Sequence, residues 1–297
     1  MLRLPIPVVR ATLPLVRELS VAPRLPRPVR RAALDLVAGS MPRPGGTRAT
    51  WGRIGGVPAL RVDPPGDPKP REAGAVLYFH GGGYVVGSPT SHRPGFVRLA
   101  VGTGLPVIGL DYRLAPEHPF PAAFDDGVAA YRALRAGGTP ADRIILGGDS
   151  AGAGMALALA MRLRDEGERP RCAALICPWV DLTADASWRS GDDPDPLLSR
   201  AAVLGFARDY VGGASDDWRA SPLHADLAGL PPLVVHTAGD DILRADGFEL
   251  VERARAAGVN VDHRDYPGLW HDFHALAGLL GAGDDALVDL VEAILRT

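Results

Sequence analysis

Residues 143–160, RIILGGDSAGAGMALALA, join an apolar run to an alanine- and leucine-rich run through the short segment GDSAG. The first run is typical of a buried strand and the second of a buried helix. Residues 148–152 match the pattern G-x-S-x-G, in which a serine occupies a sharp turn between strand and helix and its neighbours must be small. The stretch therefore predicts a strand–turn–helix unit that places the hydroxyl of Ser150 beside the positive N-terminus of the helix.

Strand and helix patterns continue to alternate on both sides of this unit. Most predicted strands are continuous apolar runs, which is typical of strands buried on both faces of a mainly parallel sheet. We therefore predict one α/β domain, with a mostly parallel central sheet flanked by helices and a last helix over 274–297. The predicted strands are residues 49–56, 57–63, 75–80, 106–112, 143–149, 173–179, 231–239 and 259–267.

Two segments depart from the alternation. Residues 1–45 are rich in proline and carry two short amphipathic helix patterns, which fit either a peripheral packing segment or part of a lid. Residues 181–225 form an insertion with two short helix patterns, at a strand end where open α/β sheets bind ligands. We expect a helical cap from these two segments and a core made of residues 46–180 and 226–297. The N-terminal helix patterns cover residues 13–20 and 29–39.

Composition argues against several classes of partner. The 297-residue chain has a net charge of −3, which suggests neither nucleic acid nor an anionic membrane surface. Arginines and prolines interrupt the N-terminus, and no run approaches the roughly 20 apolar residues of a membrane span, so we expect a cytoplasmic protein. Cys172 and Cys177 would lie about 16 Å apart on opposite faces of a strand, too far for a disulfide. We expect neither a metal nor a cofactor.

A serine hydroxyl needs a neighbouring base to act as a nucleophile. Eight histidines are present, and the chain order serine, acid, histidine leaves His263, His271 and His274 as candidates. His263 falls within a strand pattern, and His274 lies one turn further into the predicted last helix. His271 occupies the loop between the last strand and the last helix, so we favour it as the base.

The acid that orients this base should follow the preceding strand. Asp240 and Asp241 are both available there, and only one of two adjacent side chains can reach the imidazole. The spacing does not decide between them. Asp246 lies further along, and we expect it to be a surface charge.

Several motifs occur together in a specific order: HGGG at 80–83, DYRLAPEHPFPAA at 111–123, GDSAG, then D-x-L, YPG and W-H-x-F. Over about residues 47–297 the chain resembles the bacterial hormone-sensitive-lipase-like carboxylesterases of the α/β-hydrolase superfamily. The resemblance implies an α/β-hydrolase fold with a helical cap and assigns the triad acid to Asp241. It also implies three oxyanion donors, the N–H groups of Gly82, Gly83 and Ala151. Asp272 departs from the H-G-F of many members and adds a carboxylate that could shift the pKa of the base.

The HGGG loop has two possible uses, a phosphate cradle or an oxyanion hole. It lacks G-K-[ST] and G-x-G-x-x-G and does not lead directly into a helix, so we favour the oxyanion hole. His80 then pins the loop by hydrogen bonding, and Arg113 pairs with a carboxylate. Tyr84 either borders the acyl pocket, as a substrate-binding residue, or is a core aromatic. Asp125 and Asp126 fit helix-dipole stabilisation.

The resemblance implies hydrolysis of carboxylic esters through an acyl-enzyme on Ser150, with His271 and Asp241 completing the triad. We expect the cap to supply an apolar acyl pocket, which favours short- to medium-chain esters. Two alternatives remain: an amide or lactone hydrolase with the same residues, or a non-catalytic ligand-binding homologue. The expected partner is a small-molecule ester, and a homodimer formed through late strand and helix surfaces is a family expectation.

Overall fold

The computed structural model describes residues 3–21, 24–66, 73–183 and 195–297, and these contain one eight-stranded sheet. Its strands are β1 (Arg48–Ile54), β2 (Val57–Asp63), β3 (Ala75–Phe79), β4 (Val107–Leu110), β5 (Ile144–Asp149), β6 (Cys172–Ile176), β7 (Leu233–Ala238) and β8 (Val261–Tyr266). The spatial order is β1-β2-β4-β3-β5-β6-β7-β8. β2 is antiparallel to both of its neighbours, and the pairs from β4 to β8 are parallel. The predicted α/β class and mostly parallel sheet are confirmed.

Helices cover both faces of this sheet. They are α1 (Ile6–Val16), α2 (Arg27–Gly39), α3 (Pro89–Thr103), α4 (Ala122–Ala136), α5 (Ala151–Asp165), α6 (Arg200–Val211), α7 (Arg244–Ala256) and α8 (Gly281–Arg296). One apolar cluster joins α4, α5, α6 and α7 to the sheet, and a second joins α1, α3 and α8 to the opposite face. Leu77 and Phe79 of β3 enter the first cluster, whereas Val76 and Tyr78 enter the second. This alternation explains why β3 is apolar at every position.

The N-terminal helices lie against the core close to the HGGG loop. Arg10 of α1 pairs with Asp240 at 2.6 Å. Arg31 of α2 donates to the carbonyl of Val85 at 2.9 Å and pairs with Glu117. Helices α1 and α2 are thus each fixed to segments far away in the sequence, next to the strand ends that carry the site.

Two predicted helices have different bounds. The last helix begins at Gly281 rather than at residue 274, and a short 3₁₀ turn covers Phe273–Leu276. Gly278 has φ +98°, a left-handed conformation that separates the two pieces. The helix predicted over 13–20 is instead the end of α1, which begins at Ile6, followed by a wider turn over Arg17–Val21. Of the cap insertion, residues 184–194 lie outside the described part of the chain.

The two cysteines do not lie on opposite faces, contrary to the prediction. Cys172 and Cys177 are buried free thiols in the same apolar cluster. Cys177 follows the end of β6 with φ +44°, so the alternation of a strand no longer applies to it. None of the helices in the described residues has the length and apolar character needed to cross a membrane.

Candidate active site

Ser150 occupies the turn between β5 and α5, with φ +52° and ψ −121°. The turn tolerates only small neighbours. A Cβ on Gly148 would lie 2.3 Å from the carbonyl oxygen of Gly152, and a Cβ on Gly152 would lie 2.0 Å from that of Phe79. The G-x-S-x-G pattern thus supplies the two residues without side chains that this backbone requires.

Three strand ends bring Ser150, His271 and Asp241 together. His271 Nε2 lies 2.8 Å from Ser150 Oγ, and His271 Nδ1 lies 2.9 Å from Asp241 Oδ2. The other oxygen of Asp241 accepts the N–H of Leu243 at 2.8 Å. Because the Asp241 carboxylate can only accept a hydrogen bond, Nδ1 of His271 carries the proton. Nε2 is therefore unprotonated and can accept a hydrogen bond from the serine hydroxyl.

The electrostatic surroundings of His271 favour its protonated form. Burial alone would lower its pKa, but the carboxylates of Asp241 and Asp272 hold the pKa of His271 well above its usual value. A carboxylate at hydrogen-bond distance stabilises an imidazolium in this way. The arrangement can therefore accept and hold a proton taken from Ser150.

The other candidate residues have partners elsewhere. Asp240, adjacent to Asp241, forms the ion pair with Arg10. His263 Nε2 lies 3.0 Å from the hydroxyl of Thr237, and His274 Nε2 lies 3.1 Å from Nδ1 of the buried His236. The structure thus brings His271 and Asp241 to Ser150. The side chains of Asp240, His263 and His274 are engaged elsewhere.

Asp246 is not a surface charge, contrary to the prediction. Its side chain is buried, and one oxygen accepts the backbone N–H groups of Val180 and Asp181 at 3.4 and 3.3 Å. The first turn of α7 packs beneath the chain that leaves β6, which brings the carboxylate to the base of the cap insertion.

The HGGG loop lies beside Ser150. Gly82 and Gly83 have φ values of +112° and +62°. In the described part of the chain, the N–H groups of Gly82, Gly83 and Ala151 donate to no protein acceptor, whereas that of Gly81 donates to Asp149 Oδ2 at 2.9 Å. Open donors that flank a serine suit a developing negative charge.

His80 stabilises this loop through a contact with the backbone of Gly81. Its Nδ1 lies 2.8 Å from the carbonyl oxygen of Gly81, and its ring stacks on Tyr112, whose hydroxyl donates to the His80 carbonyl at 2.7 Å. Burial, with a smaller effect from His92, lowers the pKa of His80 to about 3. A neutral, buried histidine fits the structural role predicted for it.

Of the remaining predicted residues, Arg113 pairs with Asp126 at 2.8 Å, as expected for a structural arginine. Asp126 therefore forms an ion pair with Arg113 and does not interact only with the dipole of α4. Tyr84 is buried and stacks on Tyr210, with ring centroids 3.8 Å apart. It is absent from the cavity wall around Ser150, which favours the core-aromatic alternative over a substrate contact.

A cavity of about 150 Å³ opens onto Ser150 and His271. Its walls are mainly apolar and come from the N-terminal helices and from the cap. Described wall residues include Leu13, Val16, Leu34, Val37, Leu198, Val203 and Phe206. The cavity therefore suits a small apolar group held next to the serine oxygen.

Sequence reasoning did not single out Asp195. Its Oδ2 accepts the backbone N–H of His271 at 3.0 Å, and its Oδ1 accepts those of Leu197 and Leu198 at 2.8 and 3.0 Å. Burial raises the pKa of this carboxyl to about 6. Asp195 lies in the aspartate-rich segment DDPDP, and its position two residues before Leu197-Leu198 is the only signal that separates it from its neighbours.

Among the described residues, Cys177, Asp241 and His271 are the group whose potential ligand atoms come close enough for a metal, within 4.8 Å of one another. The group is poorly suited to one. Burial raises the pKa of the Cys177 thiol well above its usual value, whereas a metal needs the thiolate. His271 and Asp241 are moreover engaged with each other.

A mostly parallel sheet with a serine at the β5–α5 turn, a carboxylate after β7 and a histidine after β8 is the arrangement of an α/β hydrolase. Comparison with known families agrees, because residues 76–275 match the alpha/beta hydrolase fold family. The chain belongs to this family, and within it to the hormone-sensitive-lipase-like group.

Individual relatives cover between 77% and 99% of the chain. The chain is 37% identical to a putative acetyl-hydrolase, LipR, of Mycobacterium tuberculosis, over 95% of this chain and 92% of the relative. It is 40% identical to an acetyl-hydrolase of Streptomyces hygroscopicus, over 77% of this chain and 78% of the relative. The crystal structure of an esterase from the bacterial hormone-sensitive lipase family superposes with a TM-score of 0.89 at 38% identity, covering 99% of both chains.

Proposed function

We propose that this protein is a serine carboxylesterase in which Ser150 forms an acyl-enzyme, His271 transfers the protons and Asp241 orients the histidine. The observation that carries the proposal is the continuous chain from Asp241 through His271 to Ser150, with contacts of 2.9 and 2.8 Å. The broader class, carboxylic ester hydrolase, is supported by relatives that are named esterase, acetyl-hydrolase and carboxylesterase.

The chemistry follows from the protons that these contacts can move. His271 Nε2 accepts the Ser150 hydroxyl proton as Oγ attacks the ester carbonyl, and Asp241 stabilises the imidazolium that forms. The imidazolium then gives its proton to the departing alcohol, which leaves an acyl group on Ser150. Water repeats the sequence in the second half and releases the carboxylic acid.

The tetrahedral intermediates place a negative charge on the former carbonyl oxygen. The N–H groups of Gly82, Gly83 and Ala151 are the donors proposed to bind it. A single donor of this kind contributes roughly a hundred- to thousandfold in kcat. Asp149 holds the loop that carries two of these donors by accepting the N–H of Gly81.

The cavity supports a preference for short acyl groups. An apolar protein cavity of comparable size holds a molecule as large as benzene, which corresponds to roughly six carbon atoms. The volume of about 150 Å³ is thus large enough for acyl groups from acetyl to hexanoyl and too small for a long-chain fatty acyl group.

Hydrolysis of a p-nitrophenyl ester series, from acetate to palmitate, tests the proposal. We expect the highest kcat/KM at short chains and a loss of about a millionfold in kcat for Ser150→Ala. Ser40→Ala, which changes an exposed serine, is the matched control. Activity that survives Ser150→Ala would contradict the assigned nucleophile, and a folded wild type that cleaves amides or lactones but none of the p-nitrophenyl esters would favour the alternative substrates.

A further inference from the structure

Asp272 lies next to the reacting nitrogen of the histidine. Its Oδ2 is 3.2 Å from His271 Nε2, the same nitrogen that lies 2.8 Å from Ser150 Oγ. Ser150 Oγ and Asp272 Oδ2 therefore compete for a hydrogen bond with the same ring nitrogen. The carboxylate also lines the cavity over Ser150, and its side chain is 16% exposed.

Local structure does not explain this carboxylate. Asp272 precedes the 3₁₀ turn Phe273–Leu276, but its side chain makes no capping hydrogen bond there. Within the described ranges its ion pair is with His271 alone, and its Oδ1 is buried without a hydrogen-bond partner. Its φ of +51° is one that glycine adopts most easily. A strained, partly satisfied carboxylate beside reacting atoms indicates a function.

We propose that Asp272 shares one proton with His271 Nε2 and thereby sets the pH at which the histidine can accept a proton from Ser150. The inference rests on the proposed function of the Ser150 site. When the pair holds the proton, Nε2 either donates it to the carboxylate or accepts a hydrogen bond from the protonated carboxyl. In both cases Nε2 is unavailable to the serine. Loss of this proton to water leaves Asp272 ionised and the Nε2 lone pair free.

The electrostatic effect has a definite sign. A carboxylate within hydrogen-bond distance favours the imidazolium and shifts such a pKa upward by roughly one to three units. In agreement, the pKa of His271 is held well above its usual value, and burial raises the pKa of Asp272 to about 7. Activity is lost as the pH falls through the pKa of this pair, which defines the acid limb of the pH–activity profile. That limb therefore lies at a higher pH with Asp272 than without it.

Other titratable groups also face the pair, and all of them remain when Asp272 alone is replaced. Asp149, one of these groups, is itself paired with His92 at 3.1 Å. The difference between wild type and an Asp272 variant therefore isolates the one carboxylate. The facing groups are Asp241, Asp195, Cys177, His274, Asp149, His92 and Tyr78.

The test is the pH dependence of kcat/KM for p-nitrophenyl butyrate, between pH 5 and 10, in wild type, Asp272→Asn and Asp272→Gly. Both replacements accept the positive φ, so the backbone is kept. We expect the acid-limb pKa to fall by at least about one unit in both variants. Asp262→Asn, which removes an exposed carboxylate paired with Arg296, is the charge control and leaves the limb unchanged. An acid limb that moves by less than about 0.3 units in both Asp272 variants would overturn the proposal.

A second readout does not need turnover. The imidazole of His271 in Ser150→Ala is titrated by NMR, with and without Asp272→Asn. We expect it to titrate above pH 7 with Asp272 and at least about one unit lower without it. If the double variant fails to fold, titration of His271 in Ser150→Ala at or below pH 6.5 overturns the proposal, and titration above pH 7 supports it. A wild type that hydrolyses no ester but shows this titration would contradict the proposed function and not the shared proton.

Discussion

At the scale of single residues, the backbone of His271 is held by a carboxylate outside the triad. Asp195 accepts the His271 N–H at 3.0 Å, and its second oxygen binds two further N–H groups of the cap. One side chain therefore connects residues 197–198 of the insertion to the loop that carries His271. The contact holds the backbone of His271, and Asp195 itself is not among the residues of the cavity wall.

Replacement of Asp195 by alanine should affect both folding and catalysis. Two buried N–H groups and one half-buried N–H group lose their acceptor, so we expect the free energy of unfolding to fall by about 2–4 kcal/mol. Displacement of the His271 backbone should also lower kcat by about tenfold or more. Denaturant unfolding and ester hydrolysis measure the two effects.

The matched control is Asp226→Ala, because Asp226 also accepts a backbone N–H, that of Ala228, but does so in an exposed loop. We expect it to change the free energy of unfolding by less than about 1 kcal/mol. If Asp195→Ala behaved in the same way and retained full kcat, Asp195 would have no positioning role.

Residue identities could be predicted where position along the chain limits the choice. The elbow pattern specified Ser150, and the loop after the last strand favoured His271. Asp240 and Asp241 could not be separated by spacing, because what distinguishes them is the ion pair between Asp240 and Arg10, 230 residues away. The prediction that Asp246 is a surface charge is wrong, because burial of an aspartate depends on tertiary packing that the adjacent sequence does not show.

At the scale of elements, helix α6 packs directly onto the HGGG loop. A Cβ on Gly83 would lie 2.3 Å from the ring of Phe206 and 2.8 Å from its Cβ. Because the Cβ of Phe206 is also too close, rotation of the ring alone cannot relieve the overlap. The loop and the helix can therefore approach only if residue 83 is glycine.

Gly83→Ala should consequently lower kcat/KM by about a hundredfold or more, since it displaces a proposed oxyanion donor. The positive φ and the overlap should also lower the free energy of unfolding by about 1–3 kcal/mol. Thermal or denaturant unfolding and ester hydrolysis provide the measurements.

The double variant Gly83→Ala/Phe206→Ala separates the two causes of this loss. If contact with Phe206 dominates, Gly83→Ala should cost less stability in the Phe206→Ala background than in wild type. An unchanged activity and stability in the single variant would show that the loop and α6 do not meet as described.

Element boundaries were harder to predict than element types. The strand over residues 143–149 and the helix after it can be predicted because two apolar runs meet at the G-x-S-x-G turn. The last helix was extended too far because residues 274–280 have helix-forming composition. The left-handed conformation of Gly278 ends that stretch, and glycine alone does not reveal which conformation it adopts.

At the scale of the whole molecule, the cavity is assembled from segments that are distant in sequence. α1 and α2 provide one wall, the cap another, and the core loops provide the floor. The fold class could be predicted from buried apolar strands alternating with helices. The spatial order of β4 and β3, and the position of α1 and α2 over the site, depend on long-range contacts that no local pattern encodes.

Two leucines of α2 test whether the helix sets acyl-chain length. Leu34 lines the cavity, whereas Leu36 is 78% exposed. Leu34→Ala removes roughly three methylene-sized groups from the wall, so we expect the ratio of kcat/KM for p-nitrophenyl octanoate to that for the acetate to rise about fivefold or more. Leu36→Ala should leave the ratio unchanged. Equal ratios in the two variants would contradict a cavity wall formed by α2.

The central claim is that Ser150 is the residue acylated by substrate. The most direct measurement is intact-protein and peptide mass spectrometry after reaction with a p-nitrophenyl alkylphosphonate, whose phosphorus is attacked by an activated serine with release of p-nitrophenol. We predict one phosphonyl group per chain, on the peptide that contains Ser150, and no label on Ser150→Ala. Stoichiometric labelling of another residue, or of Ser150→Ala, would contradict the account.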